Sequence, residues 1–314
     1  MTVDPLSGAL AVADACTVFS GGFTAGGDWA IELRGRQRLK VIAVLHGSCL
    51  LVREAGGDPL RLAEGDVVVS DGDRPYVLCS RQGVEPTDSD DVTMDPATRM
   101  ARLGQGEAVD VTCASGHIDL SRDRGDLLRR ALPELVHVRA DSPEAGVLRW
   151  LIGQLVAELR TGRAGVECVS AQLAQLMFVQ VLRICLTDSD GLPPGWLRAL
   201  ADERLAPALR LMHGDPAHPW QLEELARAAA MSRTTFAVRF KEAAGVPPLT
   251  YLLNWRMSLA ARALRRDSTP VAALARSVGY TSESAFSNAF KRAVGVAPRT
   301  YRAEAVARTR PGDG

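Results

Sequence analysis

The sequence predicts an α+β protein of two domains, with an N-terminal antiparallel β-barrel followed by an antiparallel helix pair and a C-terminal all-α domain. Three observations support this fold class. Short apolar runs separated by Gly/Asp turns fill the first 120 residues, helical periodicity replaces them after Pro143, and a duplicated segment occupies the C-terminal third. The length of 314 residues also favours two folded units over one.

The first 140 residues show the pattern of a small barrel or sandwich. Apolar runs at 41–45, 49–52 and 67–69 are bounded by Gly-Gly, Gly-Asp and Asp-Gly pairs. Such strands at short intervals are typical of an antiparallel barrel. We therefore predict a β domain over residues 1–140.

Residues 141–190 show helical spacing instead. Apolar side chains recur every three or four residues from 144 to 161 and again from 166 to 186. The break at Gly162 to Gly165 predicts an antiparallel pair. This pair either packs on the barrel or forms the seam of a homodimer, and residues 191–197, rich in Gly and Pro, are predicted to be a linker.

The charge is distributed unevenly along the chain. Residues 1–190 contain 19 Lys+Arg and 27 Asp+Glu, whereas residues 191–314 contain 18 and 10, so the net charges are −8 and +8. A basic C-terminal part on a neutral protein indicates a polyanionic partner for that part.

The cysteines and the N-terminus point to an intracellular protein. The six cysteines form no CxxC pair, and the first thirty residues lack a basic start followed by an apolar stretch. No apolar run approaches the roughly eighteen residues of a membrane span. We expect a cytoplasmic protein without a membrane partner, a disulfide framework or a cofactor.

The C-terminal third contains one segment twice. TFAVRFKEAAGVPPLTYL at 235–252 matches AFSNAFKRAVGVAPRTYR at 285–302 with an offset of fifty residues. Aromatic residues four apart, Phe236/Phe240 and Phe286/Phe290, lie on one side of a helix and are predicted to anchor it to a core. A shorter apolar helix precedes each one, across a tight turn. Each copy is therefore predicted to be a helix-turn-helix, at about 220–243 and 270–293.

The predicted outward faces of the second helices are polar and basic. They carry Arg233, Thr234, Ala237, Val238 and Lys241 in the first copy, and Glu283, Ser284, Ser287, Asn288, Lys291 and Arg292 in the second. A connecting helix predicted at 248–266 spans about 25 Å. It could hold the two motifs in adjacent major grooves, which lie about 34 Å apart on double-stranded DNA. The basic residues of this segment are expected to contact phosphates. They are Arg256, Arg262, Arg265, Arg266, Arg276, Lys291, Arg292, Arg299 and Arg302.

Residues 198–314 resemble the DNA-binding domain of the AraC/XylS family of bacterial transcription regulators. The matching signatures are Leu225-Ala226, Met231-Ser232-Arg233, Phe240-Lys241, Gly245 to Pro248, Val278-Gly279-Tyr280, Phe290-Lys291, Gly295 to Pro298 and Tyr301-Arg302. The resemblance implies base readout by Thr234, Ala237 and Val238, and by Glu283, Ser284, Ser287 and Asn288. It further implies a regulator, more often an activator that contacts RNA polymerase.

The stretch from Leu60 to Tyr76 resembles the cupin-type sensor domain found in part of that family, so the barrel is expected to be cupin-like. Where metal-binding cupins place ligands, this chain has Leu39, Val41 and Tyr76, so no metal site is expected. Two kinds of effector remain open, an oxidant or a small molecule inside the barrel. The candidate residues are Cys79, Cys113 and His117 for an oxidant and Trp29, Tyr76 and His117 for a small molecule.

Two alternatives are open beside the signal-responsive regulator. The first is a cupin-type metal-dependent enzyme fused to a DNA-binding domain. The second is a constitutive DNA-binding protein whose barrel only forms the homodimer. The expectation is a regulator that is not an enzyme, acts as a homodimer and responds to an unidentified small molecule or oxidant.

Overall fold

A computed structural model describes residues 4–34, 38–53, 58–96, 98–120, 128–161, 163–189, 191–266 and 268–309. These residues form two compact units. The barrel unit comprises residues 15–120 and 132–191, and the helical unit comprises residues 4–14, 128–131 and 192–309. The two-domain α+β class predicted from the sequence is confirmed.

The barrel unit contains the strands. They are β1 (Cys16–Ala25), β2 (Ala30–Leu33), β3 (Leu39–Arg53), β4 (Leu60–Ala63), β5 (Val67–Ser70), β6 (Tyr76–Cys79), β7 (Thr87–Asp88), β8 (Met100–Leu103), β9 (Val111–Asp119) and β10 (Leu135–Val138). The main path runs β7-β2-β6-β3-β9-β1-β8, with β4 and β5 also paired to β3 and β10 paired to β5.

Strand β3 joins two sheets because its two halves pair with different neighbours. Its first half pairs antiparallel with β9 and β5, and its second half pairs antiparallel with β4 and β6. The β1/β8 and β2/β7 pairs are parallel, so the expectation of a wholly antiparallel barrel is wrong at these edges. Side chains from both sheets, including Trp29, Ile42, Leu51, Leu78 and Cys113, pack into one core.

The Gly65-Asp66 turn of the cupin-like stretch is held in place by hydrogen bonds to the Asp66 side chain. The buried Asp66 carboxylate accepts hydrogen bonds from the backbone N–H groups of Ala63 (3.0 Å) and Ala140 (2.8 Å) and lies 2.8 Å from His137 Nε2. These contacts tie the β4–β5 turn to the end of β10. Asp66 therefore helps to fix the conformation of this turn.

Helices α2 (Gly146–Thr161) and α3 (Val166–Thr187) complete the barrel unit and pack on each other. Helix α3 also packs on β1, where Gln175 Oε1 accepts a 2.8 Å hydrogen bond from the N–H of Thr17. By length and composition α3 could also cross a membrane, a test that core helices of water-soluble proteins pass as well. The sequence-based expectation of no such segment was therefore too strict.

The helical unit begins with α1 (Pro5–Ala13), although the sequence predicted that residues 1–140 form one domain. The buried face of α1 packs on helices α5 (Ala206–Gly214) and α8 (Pro248–Arg266). Asp14, just after α1, lies 2.8 Å from both Arg265 and Arg266. This apolar face and this charge pairing place the N-terminus with the C-terminal helices.

The remaining helices follow in chain order. They are α4 (Trp196–Ala201), α6 (Leu222–Ala228), α7 (Arg233–Ala244), α9 (Val271–Ser277), α10 (Glu283–Val294) and α11 (Pro298–Thr309). The stretch predicted as a linker is packed into this unit. Leu192 and Trp196 are buried, and the N–H of Gly195 donates to the carbonyl of Ala243 at 2.8 Å.

Candidate nucleic-acid interface

The two halves of the helical unit repeat one arrangement of aromatic rings. Phe236 and Phe240 lie 5.6 Å apart, and Tyr251 of α8 stands edge-on to Phe240 at 5.5 Å. In the second half the corresponding distances are 5.7 Å for Phe286 and Phe290 and 5.5 Å for Phe290 and Tyr301. All four phenylalanines are fully buried. The prediction that these pairs anchor the second helices is therefore confirmed.

Each second helix begins and ends in the same way. The hydroxyls of Ser232 and Ser282 accept hydrogen bonds from the N–H groups of Thr235 and Ala285, both at 3.2 Å. These are N-caps, which satisfy amides that have no partner within the helix. Gly245 and Gly295 end the helices with φ of 76° and 92°, a left-handed conformation that glycine adopts at little cost.

The two turns between helices use different residues in one conformation. Ala230 has φ 51° and its counterpart Gly279 has φ 85°. A Cβ at Gly279 would lie 2.5 Å from the carbonyl oxygen of Ala217, whereas Ala230 is exposed. Only the second turn therefore requires glycine on steric grounds.

The outward face of α7 combines one aliphatic side chain with polar and basic ones. Val238 is 53% exposed, which is unusual for a large hydrophobic residue. Thr234 and Lys241 are also exposed, and Ala237 is half-buried. Arg233 is exposed but pairs with Glu223 of α6 at 2.9 Å, so it must leave this carboxylate to reach a phosphate.

The corresponding face of α10 is polar throughout. Ser284, Asn288 and Lys291 are exposed, as is Arg292, while Ser287 is half-buried. Glu283 lies 3.2 Å from Arg299 of α11, which neutralises the only acidic group of this face in the described residues. All the side chains predicted to turn outward are thus at least partly accessible in both helices.

Several arginines that were expected to contact phosphates instead make hydrogen bonds within the helical unit. Arg256 donates to the carbonyls of Pro216 (2.6 Å) and His218 (2.8 Å), and burial lowers its pKa. Arg265 donates to the hydroxyl of Tyr301 (2.7 Å) and to Asp14 (2.8 Å), and Arg302 donates to the carbonyl of Thr269. Sequence pattern reveals charge but not which charges are already paired.

The barrel residues proposed as effector contacts mostly belong to the barrel core. Trp29 is buried with its ring centroid 5.2 Å from that of Phe23, and burial raises the pKa of Tyr76 to about 12. Both side chains belong to the buried cluster inside the barrel.

The cysteine candidates have a neighbour that the sequence did not indicate. The thiol of Cys113 on β9 interacts with that of Cys49 on β3, and this interaction together with burial raises the pKa of Cys113 well above the usual range. Burial also raises the pKa of Cys79, which lies near Cys49. Sequence offered no signal for Cys49, because this residue lies on the half of β3 that pairs with β4 and β6, and only the packing of the barrel core brings it to Cys113.

His117 does not contact the Cys113 thiol. Its Nδ1 lies 2.9 Å from Ser20 Oγ, and its Nε2 lies 3.2 Å from the guanidinium of Arg38. Four residues along a strand span about 13 Å, which separates the two side chains. Among the described residues, no group of three or more His, Cys, Asp and Glu side chains is placed to hold a metal ion.

Comparisons with known proteins agree with this organisation. Residues 4–187 match a family model for cupins, and residues 225–304 match one for a helix-turn-helix domain. An AraC-like transcription regulator of Streptomyces antibioticus is 41% identical over 300 residues, which cover 96% of this chain and 98% of that one.

Two further likenesses cover part of the chain. The RCS-specific HTH-type transcriptional activator RclR of Escherichia coli is 34% identical over 174 residues, 55% of this chain and 61% of that one. The DNA-binding domain of AdpA, solved in complex with a target DNA, is 32% identical over 35% of this chain and all of that one, with a TM-score of 0.33. The two matched models and the full-length relative show that the chain belongs to the AraC family of DNA-binding transcription regulators and carries a cupin-type N-terminal domain.

Proposed function

We propose that the protein regulates transcription, without catalysing a reaction, by inserting α7 and α10 into adjacent major grooves of double-stranded DNA in the cytoplasm. The supporting observation is the duplicated geometry, in which two equally anchored helices expose their polar faces. Thr234, Ala237 and Val238 read bases in the first helix, and Glu283, Ser284, Ser287 and Asn288 read bases in the second. Lys241, Lys291, Arg292 and, once released, Arg233 bind phosphates.

The two helices are proposed to read different kinds of base edge. The methyl groups of the exposed Val238 can contact the methyl group of thymine but cannot form a hydrogen bond. Asn288 can form a bidentate pair with adenine, and the hydroxyls of Ser284 and Ser287 can donate or accept. The second helix therefore contributes more hydrogen-bonded readout than the first.

Footprinting and salt titration test this proposal. Footprinting should reveal two protected major grooves one helical turn apart, and affinity should fall as salt is raised. Lys241→Gln and Lys291→Gln should each reduce the slope of log affinity against log salt by about one. Lys40→Gln removes a similar charge from the barrel unit and should leave the slope unchanged. An unprotected operator region or an affinity that is independent of salt would contradict the proposal.

We also propose that the protein acts as a homodimer through α2 and α3. Four large apolar side chains remain exposed on these helices, Val147 and Trp150 on α2 and Val169 and Leu176 on α3. An exposed apolar patch of this kind marks an interaction site. A dimer would present two helical units to DNA, and activation through RNA polymerase is proposed from the function named for the related activator.

For the signal, we propose oxidation of the Cys49 and Cys113 pair in the barrel core. The two thiols interact within the buried core of the barrel. A two-electron oxidant such as hypochlorous acid would join the sulfurs in a disulfide and itself be reduced to chloride and water, with release of a proton. Because the pKa of Cys113 is raised, its thiolate is scarce and a strong oxidant is required.

Operator affinity before and after oxidation tests the signal. Hypochlorite treatment should change the affinity of the wild-type protein, and a reductant should restore it. Cys49→Ser should abolish the response, whereas Cys16→Ser, which alters an exposed thiol, should retain it. An unchanged response in Cys49→Ser would place the oxidised residue elsewhere, and the absence of any response in the wild-type protein would instead favour a small molecule as the signal.

A further inference from the structure

A cavity of about 860 Å³ lies within the helical unit, apart from the barrel in which an effector is usually sought. Helix α8 supplies the largest share of its wall, and α1, residues 128–131, residues 194–196, the ends of α7 and α10, and α11 supply the rest, with His213 of α5. The lining side chains include Ala9, His213, Val246, Tyr251, Trp255 and Val294. Its size lies within the range of sites that bind small organic molecules, about 300 to 1,000 Å³.

Two stacked rings give the cavity wall its polar character. The imidazole of His213 lies parallel to the indole of Trp255, with 3.9 Å between ring centroids. His213 Nε2 lies 2.7 Å from the hydroxyl of Tyr251. His213 Nδ1 and Trp255 Nε1 are buried and have no hydrogen-bond partner within the described residues. Buried polar groups without partners are rare, so these two nitrogens point to a bound group.

The chemistry of the two nitrogens selects an oxygen acceptor. An indole N–H can only donate a hydrogen bond. When the hydroxyl of Tyr251 donates to His213 Nε2, the imidazole hydrogen is on Nδ1. His213 Nδ1 is then a hydrogen-bond donor in addition to Trp255 Nε1. Burial lowers the pKa of His213 to about 3, with a small opposing effect from Asp4, so the ring is neutral near pH 7.

The charges around the cavity disfavour an anionic ligand. The guanidinium of Arg265 is held by Asp14 at 2.8 Å and by the hydroxyl of Tyr301 at 2.7 Å. Asp4 is close enough to influence His213, and Glu304 also lines the wall. A carboxylate would therefore meet a neutral imidazole, the arginines Arg130 and Arg265, which already make interactions, and the carboxylate of Glu304.

We propose that this cavity binds an uncharged, largely apolar small molecule whose carbonyl oxygen accepts a hydrogen bond from Trp255 Nε1. Apolar walls supply most of the affinity, and the paired rings select for the oxygen. Val246 follows the end of α7 and Val294 is the last residue of α10, so a ligand here would contact both halves of the unit. Binding itself does not require that the proposed DNA contacts be correct.

Calorimetric titration of the full-length protein with two probes of nearly equal shape tests the proposal. Benzophenone carries a carbonyl oxygen, and diphenylmethane has a methylene group in its place. We expect benzophenone to bind about three- to tenfold more tightly, the usual net effect of one hydrogen bond. Trp255→Phe should remove this preference while both probes still bind, and Ala9→Trp should weaken both by partly filling the cavity.

The matched control distinguishes this cavity from the barrel interior. Trp29→Phe changes an indole in the barrel core and should leave the preference for benzophenone intact. Equal affinities of the wild-type protein for the two probes, no binding of either probe, or loss of the preference in Trp29→Phe would each overturn the proposal. Thermal unfolding of each variant verifies that it is folded, and Ala9→Trp provides an independent test if Trp255→Phe is unstable.

Discussion

Ala230 and Gly279 occupy equivalent positions in the two turns, yet we expect their substitutions to change the stability of the protein in opposite directions. Ala230→Gly should stabilise the protein by about 0.5 to 1 kcal/mol, because relief of the left-handed strain exceeds the added chain entropy of glycine. Gly279→Ala should destabilise it by more than 1 kcal/mol, since the new Cβ meets the carbonyl oxygen of Ala217. Urea unfolding of both variants measures the difference, and shifts of the same sign would contradict this reading of the turns.

His213 makes the helical unit sensitive to acid. Its pKa is about 3 in the folded protein and 6.5 in the reference state, so between these values the unfolded chain binds the extra proton. Stability should therefore fall as pH is lowered, by up to about 1.4 kcal/mol per pH unit and about 2 kcal/mol between pH 6.5 and 5.

The His213→Phe variant should lose this part of the pH dependence in chemical unfolding experiments. His218→Gln provides the control, because this variant changes a half-buried histidine but keeps His213, and it should therefore keep the fall in stability between pH 6.5 and 5. Parallel pH profiles for His213→Phe and the wild-type protein would show that the buried ring does not resist protonation.

Val238 is the residue that we propose limits base readout by α7. Val238→Arg should introduce a preference for guanine at one position of the first half-site, worth about 1 to 3 kcal/mol. Selection of bound sequences from a random pool measures the change, with Val109→Arg as an equally charged control in the barrel unit. An unchanged binding profile for Val238→Arg would remove this residue from the base-reading face.

At the scale of elements, the helix pair combines a buried face that could be predicted with an exposed face that only the structure identifies. Apolar periodicity indicated both helices, but their apolar residues are divided between two surfaces. Phe178 and Val181 are fully buried in the barrel unit, whereas Val147 and Trp150 remain exposed. Periodicity alone cannot make this division, because the second helix is apolar on more than one side.

The exposed face leads to a test of the proposed dimer. Trp150→Arg replaces a side chain that is 60% exposed and should weaken dimerisation at least tenfold, as expected for a central aromatic contact. Sedimentation over a range of protein concentrations measures this change. Val109→Arg, which alters another exposed apolar residue of the same unit, should leave the dimer intact. Equal effects of the two variants would argue against α2 as the seam.

Helices α7 and α10 differ from the helix pair, because the sequence predicted nearly all of the residues on their exposed faces. The duplicated spacing specifies which side chains share a face, and the buried phenylalanines show which face is inward. The pairing of Arg233 with Glu223 and of Glu283 with Arg299 was not predictable. These pairs join helices whose relative placement depends on core packing.

At the scale of the whole molecule, the N-terminus belongs to the helical unit through contacts that sequence order conceals. Val12 is 1% exposed, and Val12→Asp would bury a charge without a partner there. We expect the helical unit to lose about 3 kcal/mol, so that amides in α5 and α8 exchange about a hundredfold faster.

Hydrogen exchange followed by mass spectrometry locates that effect. Amides of β3 and β9 in the barrel unit should be unaffected, and Val147→Asp, a surface change of the same kind, should leave α8 protected. Faster exchange in the barrel strands but not in α8 would place α1 with the barrel unit instead.

The sequence by itself determined the α+β class, the two helix-turn-helix copies and the residues on their outward faces. These properties follow from apolar periodicity, helix capping and the internal repeat. Each of these signals is carried by residues that are close together in the sequence. Tertiary structure alone decided the unit to which α1 belongs, the contact of Cys49 with Cys113, and the stacked rings that line the cavity. Each of these brings together residues distant along the chain, and only the packing of the complete core specifies which of them meet.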